Sequence, residues 1–159
     1  MTEALTFDGP EALAAFGEEL ARHLRCGDWL ALSGSLGAGK TTLARGLLRG
    51  LGWLGEVPSP TFTLVQPYEP PEVTLPLWHV DLYRLEHADE ADALGLFETD
   101  AAIALEWPER LGDRLPPETL RLGLDGAGEP TRRLTWTVPA AWESRWPLLL
   151  QTFPPNRRR

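Results

Sequence analysis

The chain has 159 residues, enough for one domain around one core, and its 43% hydrophobic and 24% charged content is ordinary for a soluble globular protein. No run of about 18 apolar residues exists, so no membrane span is expected. The formal net charge of −8 argues against direct, salt-driven binding of nucleic acid by the surface as a whole.

The N-terminus, Met1 to Leu5, lacks a basic region followed by a long apolar stretch, so it does not read as a secretory signal, and the cytoplasm is the expected location. Asp8-Gly9-Pro10 reads as a helix start. Leu13, Phe16, Leu20 and Leu24 then recur at helical spacing, predicting an amphipathic helix over about residues 10–25 that ends at Gly27. The lone cysteine, Cys26, has no Cys or His neighbour at metal-ligand spacing and reads as a structural residue near the helix end.

Asp28 to Ser33 is a short apolar run that suits a buried central strand. Gly34-Ser35-Leu36-Gly37-Ala38-Gly39-Lys40-Thr41 follows and completes a Walker A motif. Glycines let the backbone wrap a phosphate, successive N–H groups form an anion nest, and the next helix adds its positive dipole end. The expected ligands are ATP and Mg²⁺. Ser35, Leu36, Gly37, Ala38, Gly39, Lys40, Thr41 and Thr42 form the binding segment, with the Thr41 hydroxyl on the metal. Lys40 is the only lysine beside 14 arginines, and it stands where a compact ammonium fits the phosphates and a guanidinium fork does not. Leu43, Leu47, Leu48 and Leu51 line one face of the helix after the loop, which ends at Gly52.

Residues 53–61 are rich in glycine and proline and read as loop. Phe62 to Gln66 reads as a strand, Pro67 to Pro71 as a turn, and Leu75 to Val80 as a strand ending at Asp81. Asp89 to Phe97 suggests a short helix with Ala91, Leu94 and Phe97 inward. Ala101 to Leu105 is wholly apolar and ends at Glu106, as a buried parallel strand reads. Residues 119–124 and 132–138 flank the turn 125–128 and resemble a hairpin. Trp142, Trp146, Leu149, Leu150 and Phe153 suggest a last helix interrupted by Pro147. The sum is an α/β, P-loop NTPase-like domain over residues 1–153. It has a mostly parallel central sheet, an antiparallel C-terminal extension and helices on both faces. Residues 154–159, with Arg157 to Arg159, read as a basic, solvated tail.

Phosphate chemistry also needs a metal partner and a group that orients the nucleophile. Glu106 closes its strand as a Walker B acid does and is the expected Mg²⁺ partner, directly or through water. Asp81 would emerge beside it, to orient or deprotonate water or to share the metal. Pro58 to Thr63 lies where nucleotide switch loops lie. There Thr61 either senses the γ-phosphate or belongs to a plain extended loop set by two prolines. His79 shares a strand face with Asp81 and reads as a packed or hydrogen-bonded residue. Trp107 either covers the site or packs in the core or on the surface, and Arg132 and Arg133 either reach a nucleotide or decorate the hairpin.

Four blocks stand in order: the Walker A segment 34–43, Pro58-Ser59-Pro60-Thr61-Phe62-Thr63-Leu64-Val65, His79-Val80-Asp81-Leu82-Tyr83-Arg84 and Leu105-Glu106-Trp107-Pro108-Glu109-Arg110. Together they closely resemble the TsaE family, formerly YjeE, small bacterial ATPases of tRNA threonylcarbamoyladenosine biosynthesis. The resemblance implies slow ATP hydrolysis and association with the TsaB–TsaD pair, with tRNA met only through that complex. It implies that Lys40 and its loop bind phosphates, that Thr41 and Glu106 hold Mg²⁺, that Asp81 is the catalytic acid and that Thr61 lies in a switch-like loop. It also implies that the segment around Leu5 and Thr6 lies near the adenine. A GTP-binding switch is disfavoured, because Asn156 is the only asparagine and no Asn-Lys-x-Asp motif exists. A small-molecule or nucleoside kinase remains an alternative, although no compact lid segment with several arginines lies between the strands, and so does a non-enzymatic binding module that uses ATP only as a structural ligand.

Overall fold

The computed structural model describes residues 3–157. Its regular elements in chain order are β1 (Glu3–Asp8), α1 (Pro10–Ala21), β2 (Trp29–Ser33), α2 (Lys40–Gly50), β3 (Val65–Tyr68), β4 (Leu77–Asp81), β5 (Ala102–Glu106), β6 (Leu120–Asp125), β7 (Thr131–Thr137), α3 (Trp146–Thr152) and β8 (Asn156–Arg157). Short 3₁₀ segments cover Ala88–Leu94, Pro108–Arg114 and Ala140–Trp142.

All strands join one sheet in the order β3-β4-β5-β2-β6-β7-β1-β8. The centre, β4-β5-β2-β6, is parallel. Strand β3 is antiparallel at one end, and β7, β1 and β8 are antiparallel at the other. Central strands buried on both sides need apolar residues throughout. Accordingly Leu30, Leu32, Ala102 and Ala104 pack in one core with α1, α2 and α3, while Ala31, Ile103 and Leu105 pack in the opposite one. The α-helices thus share one face, and the 3₁₀ segments Ala88–Leu94 and Pro108–Arg114 help cover the other through Ala91 and Leu111.

Helices α1 and α2 lie against each other with almost no side chain between them. A Cβ on Gly46 would sit 2.2 Å from the carbonyl oxygen of Ala14. Small residues at this crossing let α2, and with it Lys40, seat deep against the sheet. Arg145, buried before α3, clamps Asp28 with two hydrogen bonds of 2.6 and 3.1 Å and so ties the C-terminal helix to the start of β2.

Several sequence expectations shift. The first helix stops at Ala21 rather than near residue 25, and Cys26 after it is exposed rather than structural. Strand β1 stands where the sequence predicts no regular element. Residues 62–64 are not strand: Leu64 has φ 64°, and its N–H returns to the Pro60 carbonyl at 2.8 Å. The strand starts at Val65 and runs through Pro67 and Tyr68, where the sequence predicts a turn; a proline is tolerated there because β3 is an edge strand. The Asp89–Phe97 helix is a 3₁₀ segment stopped at Gly95, with φ 79°. Phe97 is exposed and stacks on Trp29, while Leu96 takes the buried place. Pro147 stands in the first turn of α3, where its missing N–H has no partner to lose, so it starts that helix instead of interrupting it. Residues 156–157, expected in the tail, pair with β1.

Candidate functional site

Strands β2, β4 and β5 are parallel, so their carboxyl ends reach one sheet edge. Register places Asp81 opposite Glu106, and Glu106 opposite Leu32 near the end of β2. The Walker A loop leaves from that edge and turns into α2 at Lys40. Its glycines take backbone angles that other residues resist: Gly39 has φ 112° and a Cβ there would lie 2.7 Å from Leu13 Cδ2.

Two cations hold the loop from its carbonyl side. The Lys40 ammonium donates to the carbonyl oxygens of Gly34 at 2.6 Å and Ser35 at 3.0 Å. The Arg132 guanidinium, from β7, donates to those of Ala38 at 3.1 Å and Gly37 at 3.3 Å. Lys40 is buried, and its ammonium lies 4.1 Å from the centre of the Trp107 ring. Burial pushes its pKa below the ordinary 10.5, against the opposing pull of Glu106, Asp81 and Glu109.

The acidic residues stand on two different supports. The Glu106 carboxylate accepts the Thr41 hydroxyl at 3.1 Å on Oε2 and, more weakly, at 3.4 Å on Oε1, and its Oε2 is also 2.6 Å from His79 Nε2. Asp81 accepts the backbone N–H of Tyr83 at 2.9 Å on Oδ1. Its Oδ2 accepts the Thr61 hydroxyl at 3.1 Å and makes a long 3.5 Å contact with that of Ser59, and the two hydroxyls are themselves 2.8 Å apart.

These groups line one cleft of about 290 Å³ that holds nine of the expected or neighbouring residues together: Leu36, Gly37, Gly39, Lys40, Thr41, Thr42, Thr61, Asp81 and Glu106. Ser35 and Ala38 belong to the same loop, Ser35 exposed and Ala38 buried beneath it. Trp107, half-buried, lines the cleft with Ser59 and Tyr83. Leu5 and Thr6 lie elsewhere, in a groove with Phe7, Ala12 and Phe153. The N-terminal residues that reach the loop are Gly9 and Pro10, which form a neighbouring cleft with Leu13, Glu129 and Arg132. Arg132 therefore touches the loop, whereas the hydrogen bonds to loop carbonyls come from no atom of Arg133. Nothing in the local sequence distinguishes these two arginines.

The donor set suits a hard divalent cation: a hydroxyl and carboxylates converge beside the loop, with no thiol. An anion suits the loop's N-terminal helix end and its buried ammonium. The cleft can therefore take a phosphate chain with Mg²⁺.

The family model of the threonylcarbamoyl adenosine biosynthesis protein TsaE matches residues 7–134. The tRNA threonylcarbamoyladenosine biosynthesis protein TsaE of Bacillus subtilis is 40% identical over 132 residues, 81% of this chain and 81% of the relative. The protein of that name from Streptomyces coelicolor is 42% identical over 134 residues, 82% of this chain and 90% of the relative. The crystal structure of Bacillus subtilis YdiB superposes with a TM-score of 0.73 at 31% identity, covering 96% of this chain and 95% of that one.

Proposed function

The chain belongs to the TsaE family, and from that premise we propose that it is a Mg²⁺-dependent ATPase of tRNA threonylcarbamoyladenosine formation that acts on a TsaB–TsaD complex. The observation that carries the ATPase reading is the single cleft where the phosphate loop, the Thr41–Glu106 pair and Asp81 meet. The partner reading rests on the family, and the acidic net charge agrees with it, since a partner would supply the tRNA contact.

Loop N–H groups and the start of α2 bind the phosphates. The Lys40 ammonium exchanges its carbonyl partners Gly34 and Ser35 for phosphate oxygens, a move within reach of its flexible stem. Thr41 and Glu106 would hold Mg²⁺, which when bound offsets charge on the phosphates. Asp81 orients the attacking water and accepts its proton, and Thr61 sets the position of that carboxylate. The Trp107 ring lies against the ammonium, its centre 4.1 Å away.

ADP release with and without TsaB–TsaD tests this reading. Little turnover is expected alone and more with the pair. Glu106→Ala and Asp81→Ala should each lower turnover by about a hundredfold while nucleotide binding persists. Phosphoryl transfer to a nucleoside, with no ADP release in its absence, would make the protein a kinase instead. Failure to co-elute with TsaB–TsaD under any nucleotide condition would remove the partner role.

A further inference from the structure

We propose that His79 is the positioning residue for Glu106: the Nε2–H of its buried imidazole holds the carboxylate in the orientation that Mg²⁺ binding needs. This rests on the reading of Glu106 as the Mg²⁺ partner.

His79 and Glu106 lie on adjacent parallel strands, with His79 opposite Ala104 and two residues before Asp81. The alternation of β-strands turns His79 and Asp81 to the same face. The imidazole has no exposed surface. Its Nε2 lies 2.6 Å from Glu106 Oε2, while its Nδ1 has no hydrogen-bond partner among the described residues. A carboxylate only accepts, so Nε2 carries the proton and donates it. The ring therefore spends its one polar contact on Glu106.

A buried ring with one nitrogen unsatisfied carries a desolvation cost, and its one compensating contact is the bond to Glu106. That contact explains the state of Glu106. Thr41 and His79 both donate to Oε2, which leaves Oε1, among the described residues, with only the 3.4 Å contact to Thr41. The Thr41 bond must yield when that hydroxyl turns to a metal. The His79 bond need not, because it comes from below, out of the sheet. Outer-shell donors of this kind fix the orientation of a metal-binding carboxylate and raise affinity. Asp81 is held differently: one oxygen accepts the Tyr83 backbone N–H, and its side-chain donors come from the loop 58–64.

The test is a Mg²⁺ titration of fluorescent ATP-analogue binding by the full chain, with an EDTA arm, for His79→Met, His79→Gln and Glu106→Gln. Met and Gln are nearly isosteric, but only Gln can donate. His79→Met should raise the Mg²⁺ concentration at half-effect by about tenfold or more, and His79→Gln should stay within about threefold of the parent. Binding in EDTA should be the same in all. If His79→Met keeps the parent Mg²⁺ dependence where Glu106→Gln has lost it, or if Gln rescues nothing, the proposal is overturned. If Glu106→Gln itself leaves the Mg²⁺ dependence intact, the reading of Glu106 fails first. Should His79→Met bind no nucleotide in EDTA, His79→Asn, too short to reach Glu106, replaces it. Failure of that variant in EDTA as well, with Gln intact, would assign His79 to folding and overturn the proposal.

Discussion

Two loops face each other across the cleft, and they are held in opposite ways. The loop 34–39 is gripped from its carbonyl side by Lys40 and Arg132, with Ala38 buried beneath it and Gly39 pressed on Leu13. The loop 58–64 keeps only Pro60 buried and leaves Phe62 82% exposed, with the Arg84 guanidinium 4.4 Å from its ring. Its side-chain ties to the site are two hydroxyls on Asp81, beside one backbone bond from the Asp81 N–H to the Leu64 carbonyl at the loop's end. The first loop is therefore preformed and resists change. The second is bound by contacts that a ligand can outbid, as a responsive segment must be.

The largest expected effect comes from breaking the preformed loop. Gly39→Ala places a side chain at φ 112°, where L-residues are strained, and drives its Cβ to 2.7 Å from the buried Leu13. Strain plus repacking should cost about 2–4 kcal/mol. Thermal melting should show it, with nucleotide binding lost in proportion. A variant as stable as the parent would mean that the loop is not set by its backbone.

A smaller effect should follow pH. Burial disfavours the Lys40 ammonium, so in the free protein it loses its proton below the ordinary 10.5. Phosphate needs the charge, so nucleotide affinity should fall as pH rises through that lowered value, by about 10- to 100-fold. Stability of the nucleotide-free protein should move the other way. In that window the unfolded chain holds the proton that the folded one has released, so stability rises with pH. Binding and melting followed from neutral pH upward should therefore diverge. Parallel curves would sink the assignment to Lys40.

The same contrast decides what could be read beforehand. The phosphate loop was legible because wrapping an anion demands glycines at fixed spacing, and β5 was legible because burial on both faces demands an unbroken apolar run. The acids at Asp81 and Glu106 followed from strand ends in a parallel sheet. Arg132 was not legible: its target Ala38 lies 94 residues away, and two adjacent arginines look alike until β7 pairs with β1. Strand β1 was hidden for a similar reason, since its partners lie at 131–134 and 156–157. Around Phe62 a β-rich composition suggested a strand, but a positive φ at Leu64 turns the chain first. Ser59 beside Thr61 could be seen, but not its hydroxyl contacts with Thr61 and Asp81.

The smallest expected effect lies in the second loop and is the sharpest probe of it. Thr61→Val keeps the shape and removes the hydroxyl that donates to Asp81 at 3.1 Å. The site is half-exposed, and Ser59 remains near the same carboxylate oxygen at 3.5 Å. Loss of stability should therefore be about 0.5–1 kcal/mol, near the net worth of one hydrogen bond. Nucleotide affinity should hardly move, because the phosphate loop is held independently of residue 61. Turnover with the partner complex should fall, since Asp81 loses its nearer side-chain donor. A drop in affinity as large as the drop in turnover would show that the two loops act as one unit. Affinity held and turnover reduced would separate a loop that binds from a loop that aims the acid.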